Sequence, residues 1–371
     1  MQISHRKEKP IAAALVWAVC LGACGKVYSS RVDKQPDTGT PIAKLDAALP
    51  LDAAPTEKNI DAGVPAALPF DYDACKHVEA RADCDERWCA IPAGCFVMGS
   101  PENEYAHARV AEVRTIVALS HSFQMQRHEV TRGMWQSLDL PDPSAKRDDG
   151  TGNCTDSDKC PVGNVTWFEA VAFANLMSER STPPLAPCYR LLDCTGELGR
   201  GLACKNAELT AASVYACEGY RLPTDAEWEY AARAWSRTAF HTGDVTRLAE
   251  YGTCAEDKNL ELIAWYCHNS GGLTHPVGAL QPNAFGLFDM HGNVAEWVND
   301  RNTGKPPEAQ LDPGGLLEEK PELVHPGRIY RGGNYRSWST LCRAANKSSG
   351  SWDDHAPGIG FRLARTLSAM H

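Results

Sequence analysis

The chain has 371 residues and a formal net charge of −10, with 37 Lys and Arg against 47 Asp and Glu. Its 43% of hydrophobic residues is typical of a folded protein and excludes a wholly disordered chain. The acidic balance argues against a nucleic-acid-binding protein, because such proteins neutralise phosphates with clustered Lys and Arg. Fifteen cysteines without any Cys-x-x-Cys pair favour an oxidising compartment over a cytosolic zinc protein.

The amino terminus has the pattern of an export signal. A short basic segment precedes an apolar run over residues 11–21. That length suits the core of a signal peptide and is well below the roughly 20 apolar residues of a membrane-spanning helix. The run ends in Leu21-Gly22-Ala23-Cys24, which resembles a bacterial lipobox. We therefore expect residues 1–23 to be a lipoprotein signal peptide and Cys24 to be lipidated, with an ordinary secretory signal as the alternative.

Residues 24–74 comprise this cysteine and a segment rich in Pro, Ala and Asp. The segment shows no sustained periodicity and cannot bury enough apolar surface to offset the entropy of ordering it. It is predicted to be a disordered linker that holds the folded part away from a membrane. The mature protein is expected to be exported and anchored through its lipid, at the outer membrane of a Gram-negative bacterium.

Residues 75–371 are predicted to form one loop-rich domain. Alternating apolar residues predict a strand over residues 91–99 and another over residues 122–125. Thr131 is placed to cap a short helix that contains Met134 and Trp135. The remainder is dense in Gly, Pro and Asn, so short strands and long loops are expected.

Two further helices have clear start signals. Thr166-Trp167-Phe168-Glu169 and Thr224-Asp225-Ala226-Glu227 are both capping boxes. In this motif the hydroxyl and the carboxylate three residues later satisfy two backbone N–H groups that the first helical turn leaves unpaired. Apolar residues at helical spacing follow each box, which predicts that both helices pack against a core.

The cysteines can be grouped by their closeness in sequence. Once Cys20 leaves with the signal peptide and Cys24 is lipidated, 13 of the 15 remain in the folded part. Four near its start could form two bridges: Cys75, Cys84, Cys89 and Cys95. The other local pairs are Cys154 with Cys160, Cys188 with Cys217 around Cys194 with Cys204, and Cys254 with Cys267. Connectivity does not follow from sequence alone, but this arrangement leaves Cys342 as a free thiol.

A series of short segments points to a known family. They are Ile91-Pro92-Ala93-Gly94, Glu129-Val130-Thr131, residues 161–167, residues 220–231, the run from Asn283 to Trp297, Arg331-Gly332-Gly333-Asn334-Tyr335 and Gly360-Phe361-Arg362. In this order they resemble the formylglycine-generating enzyme family, also called the sulfatase-modifying factor family, over about residues 90–365. The resemblance implies an α+β, C-type-lectin-like fold that is loop-rich and, given the cysteines, stapled by disulfides.

The resemblance also implies a reaction. Family enzymes oxidise a sulfatase cysteine to formylglycine with oxygen and a copper ion held by two cysteines five residues apart. Ser337 stands at the first of these positions, and an ungapped count places Cys342 at the second. An alignment anchored on Arg343-Ala344-Ala345 instead places Cys342 beyond the second position. Cys342 is the candidate catalytic residue on either alignment, and a serine hydroxyl is a poor ligand for Cu(I), so the copper site is expected to be incomplete.

A calcium site is the second implication of the resemblance. Asp289, Gly292, Val294 and Glu296 match family positions that bind a structural calcium through two side-chain and two backbone oxygens. Calcium prefers such oxygen donors, and the alternative is that both carboxylates are merely solvated, with Trp297 in the core. His268, His275 and His291 are close in sequence, but their spacing matches no metal-site pattern, so we expect ordinary loop histidines.

Two main functions remain open at this stage, and a third, a divergent enzyme with another metal, has only the scattered histidines in its favour. The favoured one is a cell-envelope lipoprotein whose domain binds or scaffolds an envelope protein or a glycan without catalysis. The alternative is an active oxidoreductase that converts a sulfatase cysteine to formylglycine or carries out a related oxidation of a protein.

Overall fold

The structure is a computed structural model that describes residues 80–145, 154, 158–246, 252–303, 310–314 and 327–367. All of them lie in the second of the chain's two units, Asp61–His371. The signal peptide, Cys24, the linker and Cys75 fall outside the described residues and stay predictions. In the part that is described, no helix is both long enough and apolar enough to cross a membrane.

The strands are short and form several small sheets. They are β1 (Trp88–Ile91), β2 (Gly94–Met98), β3 (Thr115–Leu119), β4 (Phe123–Gln126), β5 (Tyr189–Leu192), β6 (Asn206–Leu209), β7 (Ala295–Arg301), β8 (Gln310–Leu311), β9 (Arg328–Arg331), β10 (Lys347–Gly350), β11 (Ile359–Gly360) and β12 (Ala364–Thr366). The sheet orders are β1-β4-β12, β2-β3-β8 and β10-β9-β7-β11, and β5 pairs with β6 alone. Parallel pairing occurs between β3 and β8 and between β7 and β11, whereas the other ladders are antiparallel.

The single strand predicted over residues 91–99 is wrong in its extent. The chain forms two strands there, because β1 ends at Ile91 and β2 begins at Gly94. Pro92 lacks a backbone N–H and interrupts the ladder, which lets the chain pass from one sheet to another. Ile91 pairs with Phe123 in the first sheet, while Gly94 pairs with Leu119 in the second.

The helices are α1 (Arg132–Gln136), α2 (Trp167–Glu179) and α3 (Asp225–Arg233). The predicted caps are confirmed. Thr131 accepts a hydrogen bond from the backbone N–H of Met134, and complete capping boxes begin α2 at Thr166 and α3 at Thr224. These caps fix where each helix begins in a chain that is mostly loop.

Three groups of buried apolar side chains fill the interior. The first packs α3 against β2, β3 and β4, and the second surrounds α2. The third is smaller and contains Cys342 with six apolar neighbours, which we name the Cys342 cluster. Its other members are Ala239, Phe240, Leu260, Ile263, Ala264 and Tyr266.

Disulfides tie the long loops together. The structure pairs Cys154 with Cys160, Cys188 with Cys217, Cys194 with Cys204, and Cys254 with Cys267, as the sequence grouping predicts. Cys84 pairs with Cys89, and Cys95 is disulfide-bonded as well. Cys342 is a free, buried cysteine.

Ion pairs of buried arginines, like the disulfides, join segments that are distant in sequence. Arg221 pairs with Glu227, Arg331 with Asp225 and Glu229, Arg343 with Glu104 and Glu112, and Arg362 with Glu296. A guanidinium suits this task because its planar fork donates several hydrogen bonds at once. In a fold with little regular structure, these pairs satisfy carboxylates and loop carbonyls that water does not reach.

Candidate functional site

The loop between β9 and β10 carries Ser337 and Cys342. It begins with Gly332 and Gly333, whose φ angles of +89° and +68° lie in the region that favours glycine. A Cβ atom on Gly333 would stand 2.8 Å from the sulfur of Cys342. The glycine pair therefore allows the loop backbone to close tightly over the thiol.

The hydroxyl of Ser337 is hydrogen-bonded within this loop. Its Oγ accepts a hydrogen bond from the backbone N–H of Asn334 at 2.9 Å and lies 3.3 Å from Asn334 Oδ1. The carbonyl of Ser337 accepts a hydrogen bond from the backbone N–H of Cys267. Ser337 thus closes a turn and links it to the segment of the Cys254–Cys267 disulfide.

Cys342 has no solvent-exposed surface and packs in the apolar Cys342 cluster. Burial raises the pKa of its thiol to about 12, although a contact with the backbone N–H of Gly292 acts in the opposite direction. The sulfur is therefore a neutral thiol near pH 7. Since the thiolate is the form that binds metals and acts as a nucleophile, this position favours packing over chemistry.

Glu129 and Asp289 form a buried carboxyl pair. Glu129 precedes α1, and Asp289 lies in the loop that leads into β7, yet the two groups are close enough to share a hydrogen bond when one is protonated. Glu129 Oε1 lies 3.4 Å from the backbone N–H of Val294, and Asp289 Oδ2 accepts from Gly278 at 2.7 Å. Glu129 Oε2 and Asp289 Oδ1 are buried without a hydrogen-bond partner.

The environment disfavours two negative charges at this pair. Burial raises the pKa of Asp289 to about 6. Burial and the neighbouring charge of Asp289 raise the pKa of Glu129 well above its usual range. Two carboxyl groups in contact need a shared proton or a bound cation to be stable together.

Glu296, in β7, is bound to protein groups on both carboxylate oxygens. Arg362 donates to Oε2 through Nε at 2.8 Å and to Oε1 through Nη2 at 2.7 Å, and Trp228 Nε1 donates to Oε2 at 2.8 Å. Glu296 and Asp289 are 1% and 3% exposed, so neither carboxylate is simply solvated. Of the predicted calcium residues, Asp289 has an oxygen that lacks a partner, whereas Glu296 is engaged by Arg362.

The three histidines that are close in sequence have separate surroundings. His268 is exposed and lies near Glu261, His275 stacks on Trp265, and His291 is buried with Nδ1 2.7 Å from the carbonyl of Cys342. Across the described ranges, no group of three or more His, Cys, Asp or Glu side chains is arranged to hold a metal ion. The expectation of loop histidines fits His268 and His275 better than the buried His291.

A family model for the Sulfatase-modifying factor enzyme 1-like domain matches residues 76–367. The chain belongs to this family. The formylglycine-generating enzyme of Bos taurus is 26% identical over 302 residues, which are 74% of this chain and 73% of the relative. That of Streptomyces coelicolor is 34% identical over 170 residues, which are 39% of this chain and 46% of the relative.

One relative is named as a chaperone and not as a formylglycine-generating enzyme. Chaperone protein LppX of Paenibacillus barcinonensis is 28% identical over 192 residues, which are 47% of this chain. The chain covers 61% of the length of that relative.

Solved structures confirm the fold. Treponema denticola variable protein 1 superposes with a TM-score of 0.57 at 29% identity and covers 76% of this chain and 95% of its own. PvdO from Pseudomonas aeruginosa has a TM-score of 0.52 at 24% identity and covers 76% of this chain and 94% of its own. The α+β, C-type-lectin-like, disulfide-stapled sulfatase-modifying-factor fold predicted from the sequence is therefore confirmed.

The family's copper centre does not fit the residues of this chain. Soft Cu(I) needs thiolates, and the β9–β10 loop offers a single cysteine whose sulfur is a neutral thiol in an apolar cluster. Ser337 adds only a hydroxyl that is already hydrogen-bonded to Asn334. Cys342 thus remains the candidate catalytic residue by position, but its surroundings oppose that role.

The calcium ion fits better, through a partly different set of side chains. Asp289 Oδ1 and Glu129 Oε2 are buried oxygens without partners, and such carboxylate oxygens are what calcium binds. Sequence reasoning missed Glu129 as a site residue, although Glu129-Val130-Thr131 stood out as a motif. The available signal was an acidic residue directly before the apolar Val130 and the helix cap Thr131.

The thiol of Cys342 provides a direct chemical test of its surroundings. We expect 5,5′-dithiobis(2-nitrobenzoic acid) to leave the native, unreduced protein unlabelled at pH 8. The raised pKa lowers the thiolate fraction by about 1000-fold, and burial hinders access further. After unfolding without reductant, the chain should release one equivalent of chromophore more than Cys342→Ala does. Rapid labelling of the native chain would show that the thiol is open and activated.

Proposed function

We propose that this protein is an exported lipoprotein, anchored through Cys24, whose sulfatase-modifying-factor domain binds a protein partner instead of oxidising a cysteine. The observation that carries this proposal is the environment of Cys342. The one thiol of the β9–β10 loop is buried among apolar side chains, and no second thiol accompanies it.

The buried networks around this loop support a structural role for it. Arg343 follows Cys342 directly and pairs with Glu104 and Glu112, which joins the loop to residues 100–113. Arg331, at the end of β9, is bound to Asp225 of α3. A loop held at both ends presents a fixed surface, which suits recognition by preformed complementarity.

The similarity to Chaperone protein LppX supports the choice of a protein as the partner. A chaperone binds other proteins, so we assign to this chain an incompletely folded exported protein as its partner. The linker over residues 24–74 would let the domain reach such proteins from its anchor.

The test of catalysis uses a Cys-x-Pro-x-Arg peptide of the sulfatase type. The purified chain is supplied with copper and oxygen, and mass spectrometry follows conversion of the peptide cysteine to the aldehyde. A formylglycine-generating enzyme with both cysteines serves as the positive control. We expect no product from this chain, and an aldehyde that disappears in Cys342→Ala would overturn the proposal in favour of the oxidoreductase.

The test of binding uses light scattering from a thermally unfolding secreted protein. We expect an equimolar amount of the folded chain to reduce the scattering, whereas the same chain unfolded and reduced does not. Unchanged scattering would contradict the assigned class of partner and leave the conclusion about Cys342 to the peptide assay.

We also propose that the domain holds one structural calcium ion beside β7, through the side chains of Asp289 and Glu129. When bound, the ion supplies positive charge to buried carboxylates and fixes the loop that leads into β7. The backbone oxygens of Gly292 and Val294 remain the ligands implied by the family.

A further inference from the structure

Two histidines lie together next to the Cys342 cluster and belong to neither site described above. His241 lies in the turn after Phe240, and His291 lies in the loop before β7. Their ring centroids are 5.7 Å apart, with 33° between the ring planes. The rings of Phe240 and His291 are nearly perpendicular, with centroids 5.6 Å apart, so one side of the pair is apolar.

Three of the four ring nitrogens of this pair are not satisfied by protein groups. His291 Nδ1 lies 2.7 Å from the carbonyl oxygen of Cys342. Because a carbonyl only accepts, Nδ1 carries the proton and Nε2 is left with its lone pair. His291 Nε2 and both nitrogens of His241 are buried and have no hydrogen-bond partner. Three such atoms in contiguous rings are unusual, because buried polar atoms are nearly always paired.

The hydrogen bond of His291 has the form found at metal centres. Metal-binding histidines usually donate their other N–H to a carboxylate or a backbone carbonyl, which fixes the tautomer and the ring orientation. The carbonyl of Cys342 plays that part here. Burial lowers the pKa of His241 to about 4, so its ring is also neutral and able to donate a lone pair near pH 7.

The separation of the rings agrees with a shared ion. Zinc–nitrogen bonds are about 2.0–2.1 Å long, so two imidazoles on one tetrahedral ion have their centroids roughly 5–6 Å apart. The observed 5.7 Å falls in this range.

We propose that His241 and His291 bind one divalent transition-metal ion of the zinc class, through His291 Nε2 and one ring nitrogen of His241. Imidazole nitrogen is a preferred donor for such ions, whereas calcium prefers oxygen. Since no third His, Cys, Asp or Glu of the described residues joins the pair, the ion keeps positions for water or for a small ligand. This site is independent of the calcium proposal and of the family's copper chemistry.

The experiment titrates zinc into the full chain after removal of bound metals, with calcium present throughout to occupy the carboxyl site. Calorimetry and elemental analysis should give one zinc ion per chain. His241→Asn should weaken zinc binding by at least about tenfold. His268→Asn is the matched control, because it removes an exposed imidazole and should leave the affinity unchanged.

His241→Asn is the decisive variant because the imidazole of His241 makes no hydrogen bond that folding needs. His291→Asn should also lose zinc, and its circular dichroism and melting temperature show whether the loss accompanies misfolding. Wild-type protein without stoichiometric zinc would overturn the proposal. Undiminished zinc binding in a folded His241→Asn variant would do the same.

Discussion

Replacement of Arg362 by methionine should lower the free energy of unfolding by about 3–5 kcal/mol, because it leaves a buried carboxylate without its counter-charge. Arg362 has no exposed surface and holds both oxygens of Glu296. Its guanidinium also donates to the carbonyls of Gln126 and Phe288, at 3.1 Å and 2.9 Å. One side chain thus joins the end of β4, the loop before β7 and the segment between β11 and β12.

The loss of unfolding free energy should be larger than for an isolated ion pair, because two further carboxyl groups lie near Arg362. Glu129 and Asp289 both interact electrostatically with Arg362. The arginine is therefore the counter-ion of three buried carboxyl groups, and methionine would leave all three without it. A loss of this size is a large part of the roughly 5–15 kcal/mol that stabilises a typical protein.

Chemical denaturation with the disulfides intact and calcium chelated measures this effect. Arg190→Met is the matched control, since Arg190 pairs with Glu208 at the surface and such pairs contribute at most about 1 kcal/mol. Arg362→Lys keeps the charge but loses the planar fork, so it should fall between the two. Equal stabilities of Arg362→Met and Arg190→Met would contradict a central role for the buried network.

The features that could be predicted from the sequence are those set by neighbouring residues. Thr131, Thr166 and Thr224 cap their helices through atoms three residues away, so their sequence context suffices. The same holds for the disulfide between Cys194 and Cys204, which closes a short loop. Local geometry leaves few alternatives in each case.

Sites formed by residues from distant segments of the chain could not be predicted from neighbouring residues in this way. Glu129 meets Asp289, and His241 meets His291, only after β4, α3 and β7 have packed together. The alternation of apolar residues also failed to predict the break at Pro92. Alternation indicates which side chains are buried, but it does not indicate that the chain passes from one sheet to another there. Whether the chain could hold copper depends on sequence and structure together. The sequence has Ser337 in place of one cysteine, and the structure buries the other, Cys342, where burial raises the pKa of its thiol.

The calcium proposal rests on charge balance around the same arginine. Glu129, Asp289 and Glu296 are buried together, and Arg362 is their shared counter-ion. If all three carboxylates are ionised, one guanidinium leaves two negative charges unbalanced, and a calcium ion would balance them. Without the ion the protein must keep a proton on the pair of Glu129 and Asp289, in line with their raised pKa values.

Calcium should therefore stabilise the protein, while chelation should not unfold it. Sites in extracellular modules often have dissociation constants of about 10⁻⁴–10⁻³ M. At ten to a hundred times the dissociation constant, binding adds about 1.4–2.7 kcal/mol. For a domain of roughly 300 residues the melting temperature should rise by about 2–5 °C over its value in EGTA. Magnesium should have a much smaller effect, because it releases its water ligands reluctantly.

The Glu129→Gln variant distinguishes stabilisation by calcium from stabilisation by a proton on the pair of Glu129 and Asp289. In EGTA this variant should be at least as stable as the wild type, because it removes one of two buried carboxyl groups in contact. In calcium it should show little or no rise in melting temperature, whereas Glu179→Gln, an exposed change at the end of α2, keeps the full rise. The proposal fails if the wild type melts at one temperature in calcium and in EGTA, or if Glu129→Gln responds like the wild type. Glu296→Ala is less informative, because the loss of its bonds to Arg362 and Trp228 lowers stability with or without calcium.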